Sequence, residues 1–410
     1  MNIFDLPIKN RTVILALGAE SAGNFSVFKK NKIYSSKDFG DLLDNKNFNI
    51  FKKEVLSFLE KEKIKPNLII TDLHPLMRTT LWGEILAKKL KARHIRVQHH
   101  HAHIFASIGD KIIHDTSYKT PSKIHRTCPA IARQFYGVAM DGTGFGIDEK
   151  IWGGEVFKLK MKNEKLKITE RIGGLENQMM IGGELAIKEP ARMLISILAK
   201  ILSKKEVYGF VKKYYSKNEF NLIYTQLNQN FNCLETSSTG RILDAVSLLL
   251  GFCENKRTYK HEASILLEKN STKPYLDIKP IVLKNSGDKT SLANYTLKID
   301  SKFKTCLPVG KVQNSKFVLR NTPLFEYLIK NITKDKARLA ATAQLYIARG
   351  LLEIIKLDSK NEPQLFIAGG IGKNKIISQY LVTNGAYQNK KIPLGDEGLS
   401  FGQIFYYLYL

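Results

Sequence analysis

The chain has 410 residues, 43% of them apolar, with 64 Lys+Arg against 38 Asp+Glu for a formal net charge of +26. That apolar share can bury a sizeable core, which excludes a disordered or fibrous protein, and the length suggests two or three domains. The longest early apolar run, 13–17, is too short to cross a membrane or to form a signal-peptide core, and the four cysteines (Cys128, Cys233, Cys253, Cys306) lack any CxxC spacing, so zinc fingers, a thioredoxin-type motif and a dense disulfide framework are not expected. A soluble, cytoplasmic globular protein is the expectation.

Taken in chain order, 13–34 (VILALGAESAGNFSVFKKNKIY) reads as an apolar strand, a Gly/Ser-rich turn and a second strand. Helical spacing follows over 51–63 and 80–91, with a strand at 67–71 (NLIIT) between them. The pattern of 13–34 returns about 120 residues later at 136–159 (YGVAMDGTGFGIDEKIWGGEVFKL), again an apolar strand and a polar turn. A hairpin used twice points to two duplicated α/β lobes facing one cleft. Beyond 185 the chain reads as helical, over 186–202, 207–228, 241–253 and 261–269. Residues 284–320 are polar, Lys-rich and weakly periodic, as in a peripheral excursion. A long amphipathic helix is expected at 337–357, then a buried strand, a Gly-Gly turn and a helix over 364–375. The expected division is a first lobe at 1–134, a second lobe with a helical insertion at 135–398, and a C-terminal helix at 399–410 packing back on the lobes.

The strongest chemical signal is Gln98-His99-His100-His101-Ala102-His103. The chain has nine histidines, and four fall within the five positions 99–103. His99 and His103 are four apart, so on a helix they share one face, one turn apart, where two imidazoles can hold one metal ion. Two ligands leave a site incomplete. Carboxylates at Gly-rich turns are the candidates to finish it: Asp141 in AMDGTGFG and Asp396 in LGDEGLSFG, although Asp-Gly is also an ordinary turn signal. Such a His/Asp set suits Fe(II), Zn, Mn or Mg rather than thiolate copper chemistry.

Glycine turns beside helices form the second signal: Gly182-Gly183, Gly240 opening the 241–253 helix, and Gly369-Gly370. Backbone N–H groups at such helix starts bind phosphate well. None of these turns is a P-loop or a GxGxxG fingerprint. Together with the metal candidate they favour a nucleotide or acyl-phosphate site, in which Asp244 of TSSTGRILDA could hold a ribose.

These motifs occur in a recognisable order: LALGAE, ITDLHP, VQHHHAHIFAS, VAMDGTGFG with IWGGEVF, IGGELAIKEPARM, ETSSTGRILDAVSLLLG, IAGGIGKN and GDEGLSFGQ. The order resembles the C-terminal part of HypF, the carbamoyltransferase family that matures nickel–iron hydrogenases, nearly end to end and most weakly over 270–340. The resemblance implies two actin-like lobes of the acetate and sugar kinase (RNase H-like) type, an α/β fold. It implies that His99, His103, Asp141 and Asp396 bind a divalent metal, iron or zinc first, and act in catalysis. Gly182, Gly183, Gly240, Asp244, Gly369, Gly370 and Asn374 would line a pocket for ATP or carbamoyl-adenylate. The implied reaction passes a carbamoyl group from carbamoyl-adenylate to a C-terminal cysteine thiol of a HypE-type protein.

The resemblance also has departures. The first lobe strand lies about a dozen residues after Met1, so the acylphosphatase, zinc-finger and YrdC-like modules of HypF are expected to be missing, and a separate YrdC-like partner to make the adenylate. Where the family has Tyr-Glu-Gly-x-Ala, this chain has Tyr259-Lys260-His261-Glu262-Ala263. A Phe-His pair of the late helix is replaced by Ala343-Gln344, which is more similar to the TsaD and antibiotic O-carbamoyltransferase branches. These departures leave other acceptors open: tRNA adenosine, or a small-molecule hydroxyl. A non-catalytic nucleotide-binding homologue is the third reading. The charge of +26 fits either a Lys-rich protein with solvated faces or a phosphate-rich partner such as tRNA. No membrane partner is expected.

Overall fold

The computed structural model describes residues 1–6, 10–114, 134–162, 165–285 and 315–409. The first sheet uses β1 (Asn2–Asp5), β2 (Ile14–Ala16), β3 (Ser26–Lys29), β4 (Lys32–Ser35), β5 (Leu68–Asp72) and β6 (Arg93–Val97), in the order β1-β4-β3-β2-β5-β6. The hairpin strands pair antiparallel, whereas β2, β5 and β6 run parallel. A parallel strand covered on both faces needs an unbroken apolar run, and all five residues of β5 (LIITD) are buried. Helices α1 (Asn45–Lys61) and α2 (Arg78–Leu90) cover this sheet. The Asp44 side chain caps α1 by accepting from the Lys46 and Asn47 amides, and Phe51, Val55 and Leu59 form its inward stripe.

The second sheet is built on β7 (Gln134–Phe145), β8 (Ile151–Lys162), β9 (Lys165–Leu175), β14 (Gln364–Ala368) and β15 (Ala386–Tyr387), in the order β9-β8-β7-β14-β15. With the edge strand β1 set aside, the five strands from β2 on and the five from β7 both have the order 3-2-1-4-5, with three antiparallel strands followed by two parallel ones. The hairpins read at 13–34 and 136–159 occupy the same place in the two lobes. Around the second sheet, β10 (Gln178–Ile181) pairs with β11 (Cys233–Thr236), while β12 (Val282–Lys284) and β13 (Phe317–Leu319) extend the β9 edge. The central part of the expected 284–320 excursion lies outside the described residues.

Between β9 and β14 the chain is mostly helical, with two corrections to the sequence reading. The helix expected over 186–202 is broken. A single turn, Leu185–Lys188, stops at Glu189, and α4 (Pro190–Leu198) begins on a proline, which disfavours helical geometry in the residue before it. The helix expected over 207–228 is two helices, α5 (Lys204–Val211) and α6 (Lys217–Asn228). Each opens on a complete capping box, Ser203 with Glu206 and Ser216 with Glu219. Helices α7 (Thr239–Leu250), α8 (Glu262–Lys269), α9 (Thr322–Lys330) and α10 (Lys336–Asp358) complete the insertion, and α11 (Lys375–Thr383) follows β14.

Two helices join the lobes. Helix α3 (His99–His114) starts directly after β6, and α12 (Leu399–Tyr409) lies along it and reaches β2 and β3. Ile14 and Phe28 of the first lobe, Ile104 and Phe105 of α3, Phe135 of the second lobe, and Phe401 and Phe405 of α12 form one buried cluster. The contact is close because residue 402 is glycine: a Cβ there would collide with the Ala102 carbonyl oxygen. No described helix is long and apolar enough to cross a membrane.

Candidate metal centre

The site forms where the parallel strands of the first sheet end. In such sheets the carboxyl ends of the strands face the ligand crevice. Strand β6 delivers the first turn of α3 to that edge, and His99 and His103 project from one face of it. Asp141 comes from the facing lobe, on β7, whose register against β8 shifts between Met140 and Gly144. A bulge of this kind turns a side chain out of the ladder. Asp396 lies on a short turn, Asp396–Gly398, that leads into α12.

The four side chains meet through one atom each. His99 Nε2 is 3.1 Å from His103 Nε2, 3.2 Å from Asp141 Oδ2 and 3.3 Å from Asp396 Oδ1. His103 Nε2 is 3.3 Å from Asp141 Oδ2 and 3.1 Å from Asp396 Oδ1. Four donors held about 2.0 Å from one tetrahedral ion stand about 3.3 Å apart; these five spacings match that value, and all four atoms lie within 4.8 Å of one another, close enough to share one ion. Two neutral imidazoles and two carboxylates suit a divalent cation of hard to borderline character.

The surrounding residues fix these donors. Asp72, at the end of β5, places Oδ2 2.7 Å from His99 Nδ1, while its Oδ1 accepts from the His74 amide at 2.9 Å. A carboxylate behind a ligating histidine holds the proton on Nδ1 and leaves Nε2 free to bind. The Gly142 amide donates to Asp141 Oδ1 at 2.7 Å. The Ser21 hydroxyl donates to Asp396 Oδ2, and Asn24 Nδ2 donates to the Asp396 carbonyl at 2.7 Å. Further along the same segment, Ser400 Oγ is 2.8 Å from Ser26 Oγ, and the Gly18 amide donates to Gln403 Oε1 at 3.0 Å. The 396–403 segment is thereby tied to the 18–26 hairpin.

Electrostatics follow from this packing. Burial alone would keep His99 neutral, but the carboxylates of Asp72, Asp141 and Asp396 outweigh it and raise its pKa well above the usual histidine value. His103 is raised in the same way, against burial, by Asp141 and Asp396. Burial likewise opposes ionisation of Asp141 and Asp396, yet the two histidines hold both carboxyls below the ordinary range. The other two histidines of the run differ. Burial and the neighbouring His99 push His100 well down, and burial pushes His101 down to about 4, where its ring packs against Phe157 and Tyr406.

The glycine turns divide into two groups. Gly240 and Gly370 lie beside the centre: a Cβ on Gly240 would be 2.9 Å from Gly142 Cα, and one on Gly370 would be 3.5 Å from Asp141 Oδ1. Gly369 adopts φ +86° against the Met140 carbonyl, a conformation that favours glycine. Gly182 and Gly183 end β10, and their neighbours are Asn232, Leu234, Leu185 and Arg192. Asn374 caps α11 by accepting from the Ile377 amide, and donates to Gln344 Oε1 at 2.6 Å. Asp244 is fully buried, with Oδ2 2.7 Å from Arg241 Nη2 and 2.8 Å from Arg257 Nη2. Its carboxylate faces guanidinium groups.

Sequence reasoning singled out neither Asp72 nor Ser21 as a site residue. The signal for Asp72 was present, an acidic residue closing a wholly buried apolar strand two positions before His74. Nothing in the local sequence marks Ser21, whose partner is 375 residues away. The departures take on definite positions. Gln344 is fully buried and bonds to Ser271, Ala340 and Asn374. Lys260 Nζ donates to the Ser21 carbonyl at 2.7 Å, across the cleft, and His261 adopts φ +63°.

Comparison with known proteins agrees with this architecture. Residues 9–110 match the family described as the HypF Kae1-like domain, and residues 137–403 match the carbamoyltransferase Kae1-like domain, second subdomain. The chain is 34% identical over 407 residues to the probable carbamoyltransferase HypF of Methanocaldococcus jannaschii, covering 97% of this chain and 46% of that protein. It is 27% identical over 305 residues to the carbamoyltransferase HypF of a Synechocystis species, covering 70% of this chain and 36% of that one. The chain thus spans about half or less of these relatives' length. The crystal structure of T. kodakarensis HypF superposes with a TM-score of 0.76 at 26% identity, over 99% of this chain and 49% of that one. Full-length HypF in a phosphate- and nucleotide-bound form has the same fold, with a TM-score of 0.76 at 22% identity over 99% and 47%.

Proposed function

The chain belongs to the HypF carbamoyltransferase family, matching its Kae1-like, actin-like part, and on that premise we propose that its cleft transfers a carbamoyl group from carbamoyl-adenylate to a cysteine thiol of a HypE-type protein. One observation carries this reading: the convergence of His99, His103, Asp141 and Asp396 on one point between the lobes, with Asp72 fixing the His99 tautomer. In the reaction the acceptor sulfur bonds to the carbamoyl carbon, and the bond from that carbon to the phosphate oxygen breaks. The electron pair leaves on the AMP phosphate, and the thiol proton passes to solvent.

The four residues would hold a divalent ion, iron or zinc on the family resemblance, which when bound supplies Lewis-acid polarisation of an acyl or phosphate oxygen. We assign Gly240, Gly369 and Gly370 to the pocket wall, because they abut the loop of Asp141. Asn374 and Asp244 act one step further out, by fixing α11 and the arginines. Gly182 and Gly183 keep their proposed place in the nucleotide pocket only if it extends along β10. A YrdC-like unit would supply the adenylate.

The test is to offer the protein carbamoyl-adenylate and a cysteine-terminated HypE-type acceptor, and to follow the acceptor's mass. A thiocarboxamide on the terminal cysteine is the expected product. An unmodified acceptor, with carbamoyl transfer to tRNA or to a hydroxyl compound instead, would assign the chain to another acceptor class.

A further inference from the structure

Asp244 is buried without exposure, and two guanidinium groups share its single Oδ2. Two cations on one carboxylate leave an excess positive charge in a dry setting. Arg241 is 3% exposed at its side chain and Arg257 12%. Charge buried this way is costly until an anion completes it. Arg241 Nε, Arg257 Nε and Thr239 Oγ1 are also buried without a partner among the described residues, as is the acceptor Asp244 Oδ1. A purely structural ion pair would spend these donors on protein acceptors.

The pair lies next to the loop that carries Asp141. A Cβ built on Gly142, next to the ligand Asp141, would meet only one atom within 4 Å, Arg241 Nη2 at 3.9 Å. The Arg241 guanidinium therefore lies beside the Asp141 loop. Helix α7 begins at Thr239, with the Ser238 side chain accepting from the Arg241 amide and its hydroxyl donating to the Asp141 and Gly142 carbonyls. Burial and then the neighbouring Arg257 lower the Arg241 pKa, against the raising effect of Asp244 and Asp141.

We propose that Arg241 and Arg257, positioned by Asp244, form an oxyanion clamp that takes a phosphoryl group of the substrate beside the His/Asp centre. The inference rests on the transfer reaction above only for the identity of that group. In that reaction the phosphate gains one negative charge as the carbamoyl carbon–oxygen bond breaks, and preset guanidinium donors favour that change. Asp244 is then a positioning residue rather than a ribose ligand.

Calorimetric titration of inorganic phosphate and of AMP into the full chain and into Arg241→Gln and Arg257→Gln variants tests the clamp. The wild type should bind phosphate, and each variant should bind about tenfold to a hundredfold more weakly, the loss of one charge-assisted hydrogen bond. AMP binding tighter than phosphate would assign the site to the nucleotide, and equal affinity would assign it to a free phosphate group. Either supports the clamp when the variants lose it. Arg257→Gln, at the more exposed position, is the variant to read if Arg241→Gln does not fold. Phosphate that fails to bind the wild type, or binds all three proteins equally, overturns the clamp. Loss of carbamoyl transfer with arginine-dependent phosphate binding intact would sink the proposed reaction and leave the clamp standing.

Discussion

Asp72 Oδ2 stands 2.7 Å from His99 Nδ1, both groups buried, so the end of a first-lobe strand sets which nitrogen of His99 faces the second lobe. The same carboxylate accepts from the His74 amide through its other oxygen and cannot turn away. The centre is therefore oriented from behind before any ion or substrate arrives. Preset geometry of this kind separates a binding site from a chance meeting of histidines.

Replacing Asp72 with Asn keeps the shape and removes the charge. Metal affinity should fall about tenfold to a hundredfold, with the fold intact. Chelator competition on purified wild type and D72N measures this, and equal affinities would remove Asp72 from the site.

Metal removal should make stability depend on pH from both sides. In the metal-free protein the His99 pKa lies well above its ordinary 6.5. Its contribution is complete below that value and is lost as the pH rises through the raised one. Asp141 and Asp396 are depressed below 3.8, so their contributions are present above that value and lost as the pH falls through the folded ones. Urea melts of the metal-free protein should show stability declining on the alkaline side of 6.5. Metal loading should flatten that limb, because the imidazoles are then held neutral as ligands. An alkaline decline of equal size with metal bound would contradict the account.

Gly402→Ala should destabilise by about 1–3 kcal/mol through overpacking. The added methyl meets the Ala102 carbonyl, pushes α12 away from α3 and moves Asp396 with it. Thermal denaturation reads the first effect and metal content the second. A variant with unchanged melting would mean that the two helices yield without cost.

His261 holds φ +63° at the start of α8, where the family pattern carries glycine. A residue with a Cβ costs roughly 1–2 kcal/mol in that region, so His261→Gly should be more stable than His261→Ala by about 1 kcal/mol. Denaturant midpoints of the two variants test the difference. The reverse order would show that the loop relaxes out of this conformation.

The sequence carried the parts of the fold that repeat or run locally. Two hairpins of the same pattern pointed to two lobes, and the 99–103 spacing put His99 and His103 on one face of α3, because both signals are periodic. Pro190 and the two Ser/Glu capping boxes were also written locally, yet the continuous apolar periodicity on either side concealed the breaks. The partners of Asp396 were less accessible. Ser21, Asn24 and Gln403 join segments at opposite ends of the chain, and only the packed α3–α12 pair brings them together. Residue type alone suggests a ribose partner for Asp244, whereas its contacts with Arg241 and Arg257 depend on the fold and were not legible in the sequence.

The central claim is that the His/Asp centre performs the transfer, and titrating a divalent metal into the metal-free protein during carbamoyl transfer to a cysteine acceptor tests it most directly. The account predicts no transfer without metal, full activity at one bound ion per chain, and no recovery in Asp396→Asn at any metal concentration. Transfer at the full rate in the metal-free protein, or in that variant, would contradict it.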